Sequence, residues 1–193
     1  MDLLFEKLNA ITKLSPKLKS YLIDRIETLP FRKHTYTPYT SLRSSTFYFV
    51  VSGTLGGIRV SDTEDLPLIL FSQGDFIIPS LTQPRKDFIN DLSFYTAAVL
   101  LAITIDDAKH ALASFPEAFL LFSGIIDKHI HDGNMRELLL RLPPQERFNS
   151  LFITRPHLLL QCNSIHIAAY LNVSKRQLMR LKKISNDKSQ HKS

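Results

Sequence analysis

Residues 163–184 read NSIHIAAYLNVSKRQLMRLKKI. Ser164 is a good helix N-cap, and Ile165, Ala168, Ala169 and Leu171 then form an apolar helical face. Two small residues at the middle of that face let a second helix cross closely. Asn172, Val173 and Ser174 read as a short turn. Asparagine tolerates the left-handed backbone such a turn needs, Val173 can plug the angle between the helices, and Ser174 caps the helix that follows. In that helix Leu178, Leu181 and Ile184 are expected to face inward, and Lys175, Arg176, Gln177 and Arg180 outward near its N-terminal end. The pattern predicts a helix-turn-helix, a unit whose second helix enters the major groove of double-stranded DNA. Arginine suits guanine O6 and N7, and glutamine suits adenine. Lys182 and Lys183 are expected on phosphates, which add affinity without sequence information.

The charge of the chain sits in the same place. The 193 residues carry a formal net charge of +6. Residues 174–193 hold seven bases and one acid, Asp187, while residues 1–173 hold seventeen of each and are formally neutral. A basic tail can be mere solvated surface. Here the bases coincide with the outward face of the second helix, which is the electrostatic footprint of nucleic acid. Beyond Ile184 the polar stretch SNDKSQHKS is predicted to be disordered.

Upstream, Pro143-Pro144 is the best domain boundary in the chain, followed by a predicted helix from Gln145 to Ile153 and a loop around Pro156. A helical stretch is predicted from Asp106 to Leu142 with a break near Pro116. In it Phe115, Phe119, Phe122, Ile126, His129, Gly133, Arg136 and Leu140 alternate steps of four and three, the spacing of a coiled-coil seam. Residues 118–126 are apolar almost all round, so that helix must be covered on two sides, by its own domain and by a second copy of the chain. An internal helix of a monomer is the plainer alternative. From Phe31 to Ile105 strand formers and turn residues alternate. Strands are predicted at Phe47–Val51, Leu55–Val60, Leu66–Phe71, Phe76–Ile78 and Phe94–Ile105, with turns at Gly53, Ser61-Asp62 and Gln73–Asp75 and an irregular stretch over 80–92. Such spacing suggests an antiparallel roll or barrel. Two helices precede it, at 2–13 and from Ser15-Pro16 to Pro30, with stripes Leu4, Phe5, Leu8, Ile11 and Leu18, Tyr21, Leu22, Ile26.

Composition bounds the function. Hydrophobic residues make up 44 % and charged residues 22 %, enough for a core and against disorder over the whole chain. The longest apolar runs, Ala97–Ile103 and Ala118–Ile126, fall far short of the ~20 residues of a membrane-spanning helix. The start MDLLFEKLNAITKLS has no basic n-region, so a cytoplasmic protein is expected. A lone Cys162, expected to be structural, excludes an internal disulfide framework and four-cysteine metal sites. His129 and His131 point apart on a helix, and His166 is expected on an exposed helix face. Asp106-Asp107 reads as a helix start. No Walker A, Rossmann or nucleophile-elbow motif is present. No enzyme activity, metal or cofactor is therefore expected.

The order of parts resembles the Crp/Fnr family of bacterial transcription regulators. The resemblance is carried by Phe49–Gly53 (FVVSG), Gly74–Phe76 (GDF), Pro144–Phe148 (PQERF) and Ile167–Ser174 (IAAYLNVS). It implies an α+β chain: a jelly-roll-like antiparallel β-roll with N-terminal helices over 1–110, a central dimerisation helix over 111–142, and a helix-turn-helix domain with a basic tail over 143–193. It implies homodimers on near-palindromic DNA, RNA polymerase as a further partner, and Lys175, Arg176 and Arg180 as base contacts. A small-molecule effector is implied without its identity. Nucleotide-binding members carry a glutamate for the ribose and an Arg-Ser or Arg-Thr pair for the cyclic phosphate. Here 77–95 holds no glutamate, its one arginine, Arg85, lies beside Pro84, and Ser93 follows Leu92. That argues against cyclic AMP. Asn172 stands where glycine is usual, and little chain after Ile184 is left for a β-wing. The alternative is a ligand-sensing roll that acts through a protein partner, with a degenerate DNA-binding end.

Overall fold

The computed structural model describes residues 1–38, 45–59, 66–78 and 91–190. Two helices open the chain, α1 (Asp2–Ile11) and α2 (Pro16–Arg25). The Ser15 hydroxyl caps α2 by accepting from the Leu18 N–H at 3.1 Å. The second helix stops at Arg25, not Pro30: residues 27–31 form strand β1 (Glu27–Phe31). Pro30 is tolerated there because β1 is the edge of its sheet.

The strands that follow are β2 (Tyr36–Pro38), β3 (Thr46–Ser52), β4 (Leu55–Arg59), β5 (Leu66–Phe71), β6 (Phe76–Ile77), β7 (Asp91–Phe94) and β8 (Ala98–Thr104). They form two four-stranded sheets, ordered β1-β8-β3-β6 and β2-β7-β4-β5, with every pairing antiparallel. This is a jelly roll. The expected single strand 94–105 is two strands in different sheets. The chain changes sheets at Tyr95–Ala97, where the Tyr95 and Thr96 N–H groups both donate to the Thr54 carbonyl. The turn expected at Ser61-Asp62 and most of the irregular stretch 80–92 lie outside the described residues.

Side-chain alternation explains the dense apolar strands. Tyr48 and Val50 of β3 and Ala98, Leu100 and Ala102 of β8 point into the sandwich with Leu92 and Phe94. Their neighbours Phe47, Phe49, Val51, Leu101 and Ile103 point out, against the helices. A sheet buried on both faces needs apolar residues at every position. Gly53 closes the turn between β3 and β4 with φ +94°. A Cβ there would stand 2.5 Å from both the Ala97 carbonyl oxygen and the Ala98 Cβ, so only glycine fits.

Helix α3 (Ile105–Ser114) leads into α4 (Pro116–Arg141), a 26-residue helix. Ala118, Leu121, Phe122 and Ile125 turn its first half onto the β-roll and α1. At Gly124 the place of the missing side chain is taken by Ile11, whereas Gly133 has open space around it. The seam on α4 differs from the sequence expectation. Phe115 and Phe122 belong to the chain's own core. The exposed apolar residues on the neighbouring stripe are Phe119, 65 % exposed, and Ile130, 54 % exposed, with Ser123 and Ile126 half-buried between them and Gly133 exposed at its end. Periodicity alone does not tell two adjacent stripes of one helix apart when both are apolar.

Candidate nucleic-acid interface

Four helices complete the described chain: α5 (Pro144–Thr154), α6 (Pro156–Gln161), α7 (Ser164–Tyr170) and α8 (Lys175–Gln190). Pro156 opens α6 at its first position, where the missing N–H costs nothing, in place of the expected loop. Phe148, Leu151, Leu158, Ile167, Leu171 and Leu178 form their core. The cap of α7 is Asn163, whose Oδ1 accepts from the Ile165 N–H at 3.1 Å, so Ser164 is the first helical residue. Accordingly Ile167, Ala168 and Leu171 make the buried face, and Ile165 is exposed.

The turn between α7 and α8 is held from both ends. Asn172 takes a left-handed φ of +50°. Its N–H donates to the Ala169 carbonyl at 3.0 Å and the Val173 N–H donates to the Ala168 carbonyl at 2.9 Å. That is the Schellman pairing, which glycine usually serves and asparagine can. On the far side, Ser174 Oγ accepts from the Gln177 N–H at 3.1 Å and Gln177 Oε1 accepts from the Ser174 N–H at 2.9 Å. This reciprocal capping box gives the Gln177 side chain a task inside the protein. Arg147, only 8 % exposed on α5, donates its Nη1 to the carbonyls of Leu171 at 2.6 Å and Asn172 at 3.2 Å. Sequence reasoning did not single out Arg147, since an arginine in a helix gives no signal of the carbonyls it will meet.

On α8, Leu178 and Leu181 point inward while Ile184 is 39 % exposed, so the buried stripe ends a turn earlier than expected. Arg176, Arg180 and Lys183 are exposed at helical steps of four and three, which puts them on one face, away from that stripe. Ser174, Lys175 and Gln177 are also exposed, and Lys182 is half-buried. Among the described residues no carboxylate pairs with any base of α8. The helix runs to Gln190, through part of the stretch expected to be disordered.

This helical unit is docked on the outer face of the β-roll. Leu70 and Tyr95 join its core. Arg155 forks onto Asp75, with both contacts at 3.3 Å, and also donates to the Leu70 carbonyl at 3.2 Å. Thr54 Oγ1 donates to Gln161 Oε1. The Tyr95 ring fills the space that Gly56 leaves and meets the His166 ring at 4.9 Å between centroids. His166 is thus half-buried, not on an exposed face. Cys162 is buried and free, its thiol pushed up to about 12 by burial. Such a thiol is inert at neutral pH.

Burial holds the His166 imidazole below its ordinary pKa of 6.5. The unfolded chain therefore binds protons that the folded chain resists. Stability is complete above the unfolded pKa and is lost as pH falls through it toward the folded value. Melting temperature is expected to drop as pH falls below about 6.5. His166→Phe keeps a ring against Tyr95 without titrating, so it should flatten the drop. Burial shifts His129 the same way, so part of the slope should persist. An unchanged slope in the variant would count against this assignment.

No family model matches the chain, and no curated protein matches it in sequence. Solved structures do match. FixK2 from Bradyrhizobium japonicum superposes with a TM-score of 0.71 at 14 % identity, over 85 % of this chain and 86 % of that one. A regulator of the Crp/Fnr family from Eubacterium rectale gives 0.64 at 14 % identity, over 91 % and 85 %. The chain has the Crp/Fnr fold. The c-di-GMP-responsive global regulator CLP of Xanthomonas campestris shares that Crp/Fnr fold at a TM-score of 0.61 and 17 % identity, over 90 % and 93 %. Like the sequence, the described residues hold no helix long and apolar enough to cross a membrane.

Proposed function

We propose that the chain is a homodimeric, sequence-specific transcription regulator that does not respond to cyclic AMP. The observation that carries this reading is the exposed, unneutralised face of Arg176, Arg180 and Lys183 on a helix held by a capped turn. Residues 1–110 would sense, 111–142 would dimerise and 143–193 would read DNA, with Lys175, Arg176 and Arg180 at bases and Lys182 and Lys183 at phosphates. Gln177 would serve first as the cap of the reading helix. Phe119 and Ile130, both exposed on one stripe of α4, support a second copy packed along that helix. Tyr48, Phe94 and Leu100, which fill the sandwich, support an effector other than a cyclic nucleotide, as does the absence of glutamate from 77–95. The position of Arg85 lies outside the described residues. RNA polymerase would be the downstream partner.

The test is in vitro selection from sheared genomic DNA, with the wild type beside Arg176→Ala and Lys182→Ala. A near-palindromic motif should be enriched. Arg176→Ala should weaken the cognate site by about 1–3 kcal/mol and relax specificity, and Lys182→Ala should weaken all sequences alike and lower the salt slope by about one. Salt-sensitive binding without any enriched motif would favour a protein partner as the output instead.

A further inference from the structure

At the junction of the sandwich edge, the second half of α4 and helix α5 lies a cleft of about 220 Å³. By the measure in which one water needs ~10–15 Å³, it has room for a molecule on the order of a dozen heavy atoms. Ile69, Phe71 and Phe76 line it from the strands, Met135 and Leu139 from α4, and Leu151 from α5. Such a lining asks for an apolar body.

The charges of the cleft fix the other half of the occupant. Asp75 is forked onto Arg155, and Asp132 pairs with Lys128 at 2.5 Å. His129 faces the cleft in its neutral form at neutral pH, since burial holds it below the ordinary imidazole range. Arg136 is different. Its guanidinium lies over the Tyr170 ring, 5.2 Å from the centroid, and its Nε is buried without a hydrogen-bond partner. Among the described residues no carboxylate meets it. A planar guanidinium seated on an aromatic face, lining a cleft and left without a carboxylate partner among the described residues, is a receptor for a planar anion. Asp75 and Asp132 stand in the same lining and repel a second negative charge, which disfavours a phosphate dianion.

We propose that this cleft binds a small organic monocarboxylate with a flat apolar body, its carboxylate forked onto Arg136. The lining draws on the β-roll, the central helix and the helical unit 144–170 together. An occupant therefore stabilises one placement of the three over others. That such an occupant changes DNA affinity rests on the regulator reading; the binding itself does not.

The test titrates the full chain with 2-naphthoate and follows naphthyl fluorescence, which the chain's lack of tryptophan leaves unobscured. The matched control is 2-naphthyl phosphate at a pH where it is a dianion. Saturable naphthoate binding is expected, at least tenfold weaker in Arg136→Gln, tenfold weaker for the phosphate, and severalfold tighter in Asp132→Asn. Asp132 is half-exposed, so Asp132→Asn keeps the test decisive should Arg136→Gln unfold. No saturable binding, an undiminished affinity in folded Arg136→Gln, or preference for the phosphate would each overturn the site. If naphthoate binds as stated but no DNA motif is selected with or without it, the site stands and the regulator reading fails.

Discussion

Arg147→Ala is expected to cost the fold on the order of 3–5 kcal/mol and to abolish selective DNA binding under conditions where the variant is still folded. The Nη1 group of Arg147 is the partner of two carbonyls, Leu171 and Asn172, at the C-terminal end of α7. Removing it leaves the buried Leu171 carbonyl short of a donor, at about 1–3 kcal/mol, while the carbonyl of the exposed Asn172 can turn to water. It also opens a void beside Phe148 and Leu151, the neighbours on α5 that anchor this core. The same two carbonyls belong to the turn that aims α8. Loosening them frees the direction of Arg176 and Arg180 without touching either residue. Arg147→Lys retains a charged donor but on a shorter side chain without the planar head, and should fall between. Denaturant midpoints and binding to the selected DNA measure the two effects separately. A loss below ~1 kcal/mol with intact DNA selectivity would refute the role.

Ile130→Glu is expected to convert a dimer into monomers. Ile130 is 54 % exposed in the single chain, so the substitution should leave the melting of the monomer nearly unchanged. In a parallel pairing along Phe119, Ile126 and Ile130 the two-fold axis applies the change twice. Each buried isoleucine is worth about 2 kcal/mol of transfer energy, so the pair loses on the order of 4 kcal/mol, roughly a thousandfold in dissociation constant. Two facing carboxylates add repulsion. Sedimentation equilibrium reads the result directly. A wild type that is monomeric at high concentration would remove the dimer from the proposal, and a dimeric Ile130→Glu would remove this seam from it.

The legible parts of the fold are those written in local patterns. Ser15-Pro16, Gly53, Gly74 and the strands of the roll follow from residue types whose preferences are set within a few neighbours. The left-handed turn at Asn172 is of the same kind, and so is the Ser174 cap. What escaped were choices made over long range. Pro30 signals a helix stop, yet the sheet edge beside β8 accepts it. Tyr95 lies inside one apolar run, and only the Thr54 carbonyl, 41 residues earlier in number, bends that run into two strands. On α4 both candidate seams are apolar, and the stripe containing Phe122 turns inward because α1 and β3 wait there. For the interface, the bases of α8 were readable from charge alone. The parts that hold them in place, Arg147 and the Arg155–Asp75 fork, were not, since each joins residues that no short window contains.

The sheet order has a consequence for synthesis. Among the described residues strand β1 pairs only with β8, Glu27 opposite Ala102, 75 residues apart. At roughly 5–20 residues per second, a ribosome needs about 4–15 s to supply the partner after making the first strand. For that interval the apolar faces of α1 and α2 lack the finished sheet they cover, so Leu4, Phe5 and Leu8 are expected to be more exposed than in the folded chain. The nascent chain is expected to favour aggregation or chaperone capture over that window. Slow codons anywhere between residues 31 and 98 would lengthen its exposure, while those placed after Thr104 would give the finished roll time to close before the helical unit emerges to dock on it.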